Sequence, residues 1–187
     1  MSETLLQMIR CVITNRALGS VAGLLLAGGV DWVQIREKEL SARELMELVQ
    51  RVMAMPNPYS VKILVNSRVD VAIAAGAGGV HLPSGSIAAR EWRSITPSGF
   101  LIGVSCHSLD DVLRAETEGA DYVLFGPVFA PISKTSDLAP RGLKELARVS
   151  RAVKIPVLAL GGITWENSSA CIEAGAAGVA GISLFKT

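Results

Sequence analysis

Aromatic residues are scarce in this chain: three Trp, two Tyr and four Phe make up 5% of its 187 residues. With so few rings, a core has to be built from aliphatic and small side chains, and half of the residues are apolar with 18 Gly besides. That profile suits tight α/β packing and argues against disorder. Charge of one sign is also missing: 18 basic residues face 17 acidic ones, for a net charge of +1. Without a basic or acidic block, nothing points to nucleic acid or to an anionic membrane. No uncharged apolar run reaches the length of a membrane span, and the start, MSETLLQMIR, lacks the basic region and long apolar core of a secretory leader. Cys11, Cys106 and Cys171 are odd in number and widely spaced, which fits neither a zinc pattern nor a disulfide framework. Buried thiols in a reducing cytosol are expected, so the reading is one cytoplasmic domain over residues 1–187.

One phrase recurs. It reads AGGVDWVQIR at 27–36, AGAGGVHL at 75–82, EGADYVLFG at 118–126 and AGAAGVAGIS at 174–183. In each copy a small-residue turn ends a helical pattern and leads into a short apolar run, the mark of a strand buried on both faces. Between the copies lie four more strand candidates, Cys11–Thr14, Lys62–Asn66, Leu101–Ser105 and Pro156–Leu160. Amphipathic stretches such as Ala42–Met53 and Leu109–Glu118 fill the gaps, with Ser41 and Ser108 as N-caps and Glu44 and Asp111 placed for capping boxes. Eight strands in strict βα alternation predict an α/β fold, a (β/α)8 TIM barrel, and no GxGxxG follows the first strand to suggest a dinucleotide fold. The sequence stops soon after strand eight, so the last helix is expected to be lacking, and the outer faces of strands one and eight need another cover: the N-terminal segment, a shortened turn or a second subunit.

In such a barrel the chemistry sits at the C-terminal ends of the strands. The two-residue period puts Gln34 and Arg36 on one face of strand two and Val33 and Ile35 on the other, with Lys38 above the rim. If the apolar pair meets the helices, Gln34 and Arg36 point inward, where a guanidinium needs either an internal carboxylate or an anionic ligand. Asn66 ends strand three, and Asp70 caps the next helix or pairs with Arg68. His81 follows in strand four, and Ser105 and His107 end strand five. The stretch from Gly126 to Lys134 reads as a flap carrying Ser133 and Lys134. Gly161 and Gly162 after strand seven, with Ile182 and Ser183 after strand eight, let backbone N–H groups approach a phosphate near the helix that Thr164 starts.

These motifs together resemble the family of thiamin phosphate synthase and TenI, a thiazole tautomerase. The markers are Gln34-Ile35-Arg36-Glu37-Lys38, Asn66-Ser67-Arg68-Val69-Asp70, Gly79-Val80-His81-Leu82, Gly103-Val104-Ser105-Cys106-His107-Ser108, the run from Gly119 to Phe129, and Gly161-Gly162-Ile163-Thr164. The resemblance implies that Gln34, Arg36, Lys38 and Asn66 meet a pyrimidine diphosphate, that Ser105, Ser133 and Lys134 meet pyrophosphate, and that the amides of Gly162, Ile182 and Ser183 hold a thiazole phosphate.

The departures from the family pattern are specific. Synthases read N-D-R after strand three, with the Asp on Mg²⁺, and this chain has Ser67 there. They carry a second metal-binding Asp after strand four, where Leu82-Pro83-Ser84-Gly85-Ser86-Ile87 has no carboxylate, and the flap has Pro131 where Thr is common. Mg²⁺ usually takes one or two carboxylates, so no cofactor is expected unless the synthase reaction is retained with Mg²⁺ held by substrate phosphates and water. The acid/base His of TenI falls on Pro127, leaving His107 as the candidate catalytic residue, with His81 as its alternative and a structural ring as the alternative for each. Three readings follow: a metal-independent, TenI-type protein acting on thiazole carboxylate phosphate; a thiamin phosphate synthase; and a non-catalytic binder of thiamin phosphates.

Overall fold

The computed structural model describes residues 8–15, 18–130, 138–182 and 184. The strands are β1 Ile9–Ile13, β2 Trp32–Ile35, β3 Lys62–Asn66, β4 Gly79–Leu82, β5 Leu101–Cys106, β6 Tyr122–Phe125, β7 Val157–Leu160 and β8 Gly178–Gly181. Each pairs in parallel with the next, and β8 returns to β1 to close the barrel. The helices around it are α1 Leu18–Ala27, α2 Ala42–Met53, α3 Val69–Ala74, α4 Ala89–Trp92, α5 Leu109–Thr117, α6 Gly142–Ala152 and α7 Trp165–Glu173. Among the described residues no helix follows β8, and none is long and apolar enough to cross a membrane.

The repeated phrase explains how the barrel is filled. Its strand-opening position holds Trp32, Gly79, Tyr122 and Gly178 on β2, β4, β6 and β8, and the valine that follows each one packs outward and is fully buried. A barrel interior is filled in layers, each taking four side chains from alternate strands. Here one of the lower layers takes two aromatic rings and two glycines. The Trp32 and Tyr122 rings meet with centroids 4.7 Å apart in the room the glycines leave. The strand register then stacks Cys11, Leu64, Gly103 and Leu158 above them. A third layer is Gln34, His81, Leu124 and Ala180, and a fourth is Ile13, Asn66, Ser105 and Leu160. Asp31 and Asp121, just before the ring-bearing positions, do the same work in each half. Asp31 accepts from the Arg10 N–H at 2.8 Å and Nε at 3.1 Å, and Asp121 accepts from the Ile102 N–H and an Arg93 nitrogen, both at 2.6 Å.

The outer faces of β1 and β8 are covered from within the chain: Val12 and Val179 are buried in an apolar cluster that includes Met8 before β1, Leu184 after β8, and Val21 and Leu25 of α1. One expectation is corrected. At α2 the Ser41–Glu44 capping box is complete, but at α5 only half of it forms. Ser108 accepts from the Asp111 N–H, whereas the Asp111 carboxylate turns to the His107 N–H at 3.0 Å.

Candidate active site

The barrel opens at the fourth interior layer, since Asn66, Ser105 and Leu160 are all partly exposed, while Gln34, His81, Leu124 and Ala180 in the layer beneath are buried. This mouth has two unlike halves. On β2 to β5 it carries Gln34, Asn66, His81 and Ser105; on β6 to β8 and β1 it carries Leu124, Leu160, Ala180 and Ile13.

In the polar half, the Gln34 amide donates from Nε2 to Asn66 Oδ1 at 3.0 Å, and Asn66 donates from Nδ2 to Ser67 Oγ at 2.8 Å. With the amides assigned by these bonds, Gln34 Oε1 is buried without a partner among the described residues. A buried acceptor of this kind calls for a donor. Thr14, itself buried, fastens the two residues that follow β2: its hydroxyl accepts from the Arg36 N–H at 3.0 Å and donates to Glu37 Oε1 at 2.7 Å. The Arg36 side chain is half-buried, Lys38 is exposed, and neither has a carboxylate partner among the described residues. The internal ion pair considered for Arg36 is therefore not formed there. Arg68 is spoken for: it grips Asp70 through two bonds of 2.9 and 2.5 Å, which holds the Asp70 carboxyl below its ordinary range. A cleft of about 360 Å³ opens between the ends of β2 and β3 and helix α2, with Ile35, Lys38, Leu45, Asn66, Ser67 and Arg68 in its lining.

Across the mouth, Gly161 and Gly162 follow β7 with φ of 93° and 64°. The chain after β6 packs onto them, with the Val128 N–H donating to Leu160 O at 2.8 Å and the Phe129 N–H to Gly161 O at 3.0 Å. A Cβ on Gly162 would fall onto the Ala130 carbonyl and come within 2.7 Å of Phe129 Cβ, so this turn has to be bare backbone. The N–H groups of Gly162 and Ile182 donate to nothing among the described residues. Thr164 caps α7 with a full capping box to Asn167, whose Nδ2 also donates to Gly162 O at 2.9 Å. Free amides at bare glycine backbone, next to a capped helix start, suit an anionic group.

Comparison with known proteins matches this arrangement. The profile of the family described as thiamine monophosphate synthase covers residues 8–185. The chain is 45% identical over 161 residues to a putative thiamine-phosphate synthase 2 of Aquifex aeolicus, covering 86% of each. It is 42% identical over 178 residues to the thiamine-phosphate synthase of Methanoculleus marisnigri, covering 92% of this chain and 84% of that one. Among solved structures, the thiamine phosphate pyrophosphorylase from Pyrococcus furiosus superposes with a TM-score of 0.83 at 33% identity, covering 95% and 86% of the two chains. The chain belongs to the thiamine monophosphate synthase family.

The metal implied by the synthase branch of that family does not fit the residues present. The ends of β3 and β4 offer the hydroxyls of Ser67, Ser84 and Ser86 in place of carboxylates. The carboxylates nearby are committed, Asp70 to Arg68 and Glu37 to Thr14. Among the described residues no group of three or more His, Cys, Asp or Glu could hold a metal ion. A small hard cation that keeps near-octahedral oxygen coordination finds no anionic anchor in that set.

The two histidines differ in kind. His107, at the end of β5, is half-buried and bonds through Nδ1 to the Gly126 carbonyl at 2.6 Å, which makes Nδ1 the protonated nitrogen and leaves Nε2 as an acceptor. His81 is 2% exposed inside the barrel, between Tyr122 Oη at 3.1 Å and Ser105 Oγ at 2.8 Å. Burial pushes its pKa down to about 3, which removes it as a proton carrier near neutral pH. The sign of the resulting pH dependence is fixed. The unfolded chain takes up a proton on His81 below about pH 6.5, the folded chain does not, and so stability is full above that pH and is lost as pH falls toward about 3. Urea unfolding at a series of pH values should show roughly 1.4 kcal/mol of loss per unit on the acid side, and His81→Gln should remove that slope.

Ser133, Lys134 and Ser183, all expected at this site, lie outside the described residues. Thr14 and Tyr122 are parts of the site the sequence reading did not single out. A usable signal for Tyr122 existed, because it occupies the place of Trp32 in the repeated phrase.

Proposed function

We propose that this chain joins a hydroxymethylpyrimidine diphosphate to a thiazole phosphate and releases pyrophosphate, the reaction of a thiamine-phosphate synthase. The observation that carries this reading is the orphaned acceptor of Gln34, on the strand whose C-terminal end carries two cations, Arg36 and Lys38, that have no carboxylate partner among the described residues. The pyrimidine of thiamin bears an exocyclic amino group, a donor for Gln34 Oε1, and its diphosphate answers the cations. A carboxylated thiazole phosphate brings acceptors only. The apolar half of the mouth, Leu124, Leu160 and Ile13, suits the thiazole ring, with its phosphate on the amides of Gly162 and Ile182. In the reaction the thiazole nitrogen forms a bond to the pyrimidine methylene carbon while the bond from that carbon to the diphosphate oxygen breaks, and the leaving oxygen takes the electron pair. Arg36 and Lys38 would hold the charge that develops on it.

A second reading has its own support. The missing carboxylates, at Ser67 and in the Leu82–Ile87 stretch, favour a metal-independent, TenI-type tautomerase, in which the bare Nε2 of His107 would move the proton. One pair of assays separates them. Protein given both synthase substrates is expected to form thiamin phosphate and pyrophosphate, and, because the donor set suits Mg²⁺ poorly, to need far more Mg²⁺ than an N-D-R synthase run beside it. Aromatisation of the thiazole carboxylate phosphate in EDTA, with no condensation at any Mg²⁺ concentration, would transfer the assignment to the tautomerase. Binding of thiamin phosphate with neither reaction would leave a non-catalytic binder.

A further inference from the structure

The proposed substrate contacts do not use the buried imidazole of His81, yet its surroundings are built with care. The register sets His81 beside Gly103, and Gly103 beside Tyr122, in one row across β4, β5 and β6. Gly103 has to be bare, since a Cβ there would overlap the Tyr122 ring. Over that gap the two rings meet with centroids 5.6 Å apart, and the phenol reaches His81 Nδ1. Trp32 presses on the other side of Tyr122. Ser105, two residues beyond Gly103 on the same face, takes the other nitrogen.

The geometry points to His81 and Tyr122 as positioning residues that fix the Ser105 hydroxyl as a hydrogen-bond donor to an anionic phosphoryl oxygen at the barrel mouth. A neutral imidazole has one donor and one acceptor nitrogen, so the row can run in two directions only. In one, Tyr122 donates to Nδ1 and Nε2–H donates to Ser105 Oγ, which leaves the Ser105 hydrogen free at the partly exposed mouth. In the other, Nδ1–H donates to Tyr122, Ser105 donates to Nε2, and the Tyr122 hydrogen is stranded. Tyr122 is fully buried with no second partner among the described residues, and burial holds its phenol protonated. Stranding a buried O–H costs far more than leaving one spare lone pair, so the first direction wins. His81 then occupies one lone pair of Ser105 and leaves its O–H hydrogen free, so the site offers a donor, matched to phosphate or pyrophosphate.

This inference rests on the reading that Ser105 meets the anionic part of the substrate, and the tests keep the two apart. The first needs no ligand. Two-bond ¹H–¹⁵N correlation spectra should show His81 as the neutral Nε2–H tautomer at neutral pH, with His107, the other histidine of the chain, as its Nδ1–H counterpart. An Nδ1–H tautomer at His81 would overturn the proposal whatever the substrate. The second is a double-mutant cycle read by calorimetric titration of inorganic pyrophosphate into the whole protein. S105A is expected to weaken binding roughly tenfold or more. H81N, whose amide overlays Nδ1 but does not reach Ser105, should match it, and the double variant should be no worse than S105A. H81Q, whose amide nitrogen can overlay Nε2, should restore most of the affinity. If S105A binds as wild type does, the reading of Ser105 falls and this one with it. If S105A weakens binding while H81N does not, or if the two losses add, Ser105 stays and the positioning role is lost.

Discussion

Gly178→Ala is expected to lower the stability of the fold by about 3 kcal/mol or more, enough to leave much of the chain unfolded at moderate urea. Gly178 opens β8 opposite Ile9, at the seam where the barrel closes on β1. An added methyl would fall onto the Ile9 carbonyl oxygen and lie 2.8 Å from both the Ile9 carbonyl carbon and Cβ. These are backbone and near-backbone atoms, held by the Ile9 N–H donating to Ala177 O at 2.9 Å. They can give way only by opening the seam, so the cost is overpacking together with the loss of ladder bonds. Gly23, exposed within α1 with nothing within 4 Å of its added Cβ, is the control. There alanine should be neutral or stabilising by about 0.5–1 kcal/mol, the usual gain of Ala over Gly inside a helix. Equal urea midpoints for the two variants would mean that the barrel is not filled as described.

That contrast marks what could be read from the amino acids and what could not. The repeat, the strand count and the caps at Ser41 and Thr164 follow from local pattern, because helix and strand periods are properties of neighbouring residues. The inward direction of Gln34 follows from the same alternation. The contents of each interior layer do not. Trp32, Gly79, Tyr122 and Gly178 meet only through the register of strands far apart in the chain, and it is their sizes, large and absent by turns, that make one layer fit. The site divides in the same way. The Gln34-to-Lys38 motif and the two glycine turns were legible, since each lies on one strand end. The row of His81, Gly103 and Tyr122 spans three strands, and the pairing of Arg68 with Asp70, which removes a cation from the mouth, was one of two choices that sequence left open. The split of the mouth into polar and apolar halves likewise appears only once the strands are in order.

Arg36→Ala should lower kcat/KM for condensation by roughly 10²–10³-fold, since a charge-assisted hydrogen bond contributes about 1.5–3 kcal/mol and a guanidinium commonly makes two to a phosphoryl group. Arg36 is half-buried with no carboxylate partner among the described residues, while its backbone N–H is pinned by Thr14. The fold therefore gains little from the cation, and removing it should leave the urea midpoint unchanged or slightly raised. A residue that costs the fold nothing to lose but is held in place by a buried threonine has its compensation in a ligand. Arg36→Lys should recover only part of the activity, because an ammonium offers a point charge in place of a planar fork. Pyrophosphate affinity measured by titration should fall in parallel with kcat/KM for Arg36→Ala and should lose part of its salt dependence. Lys38→Ala, from an exposed position, should cost less. If Arg36→Ala binds pyrophosphate as tightly as wild type while its stability drops, the guanidinium serves the fold, and the cationic half of the mouth has to be sought elsewhere on the rim.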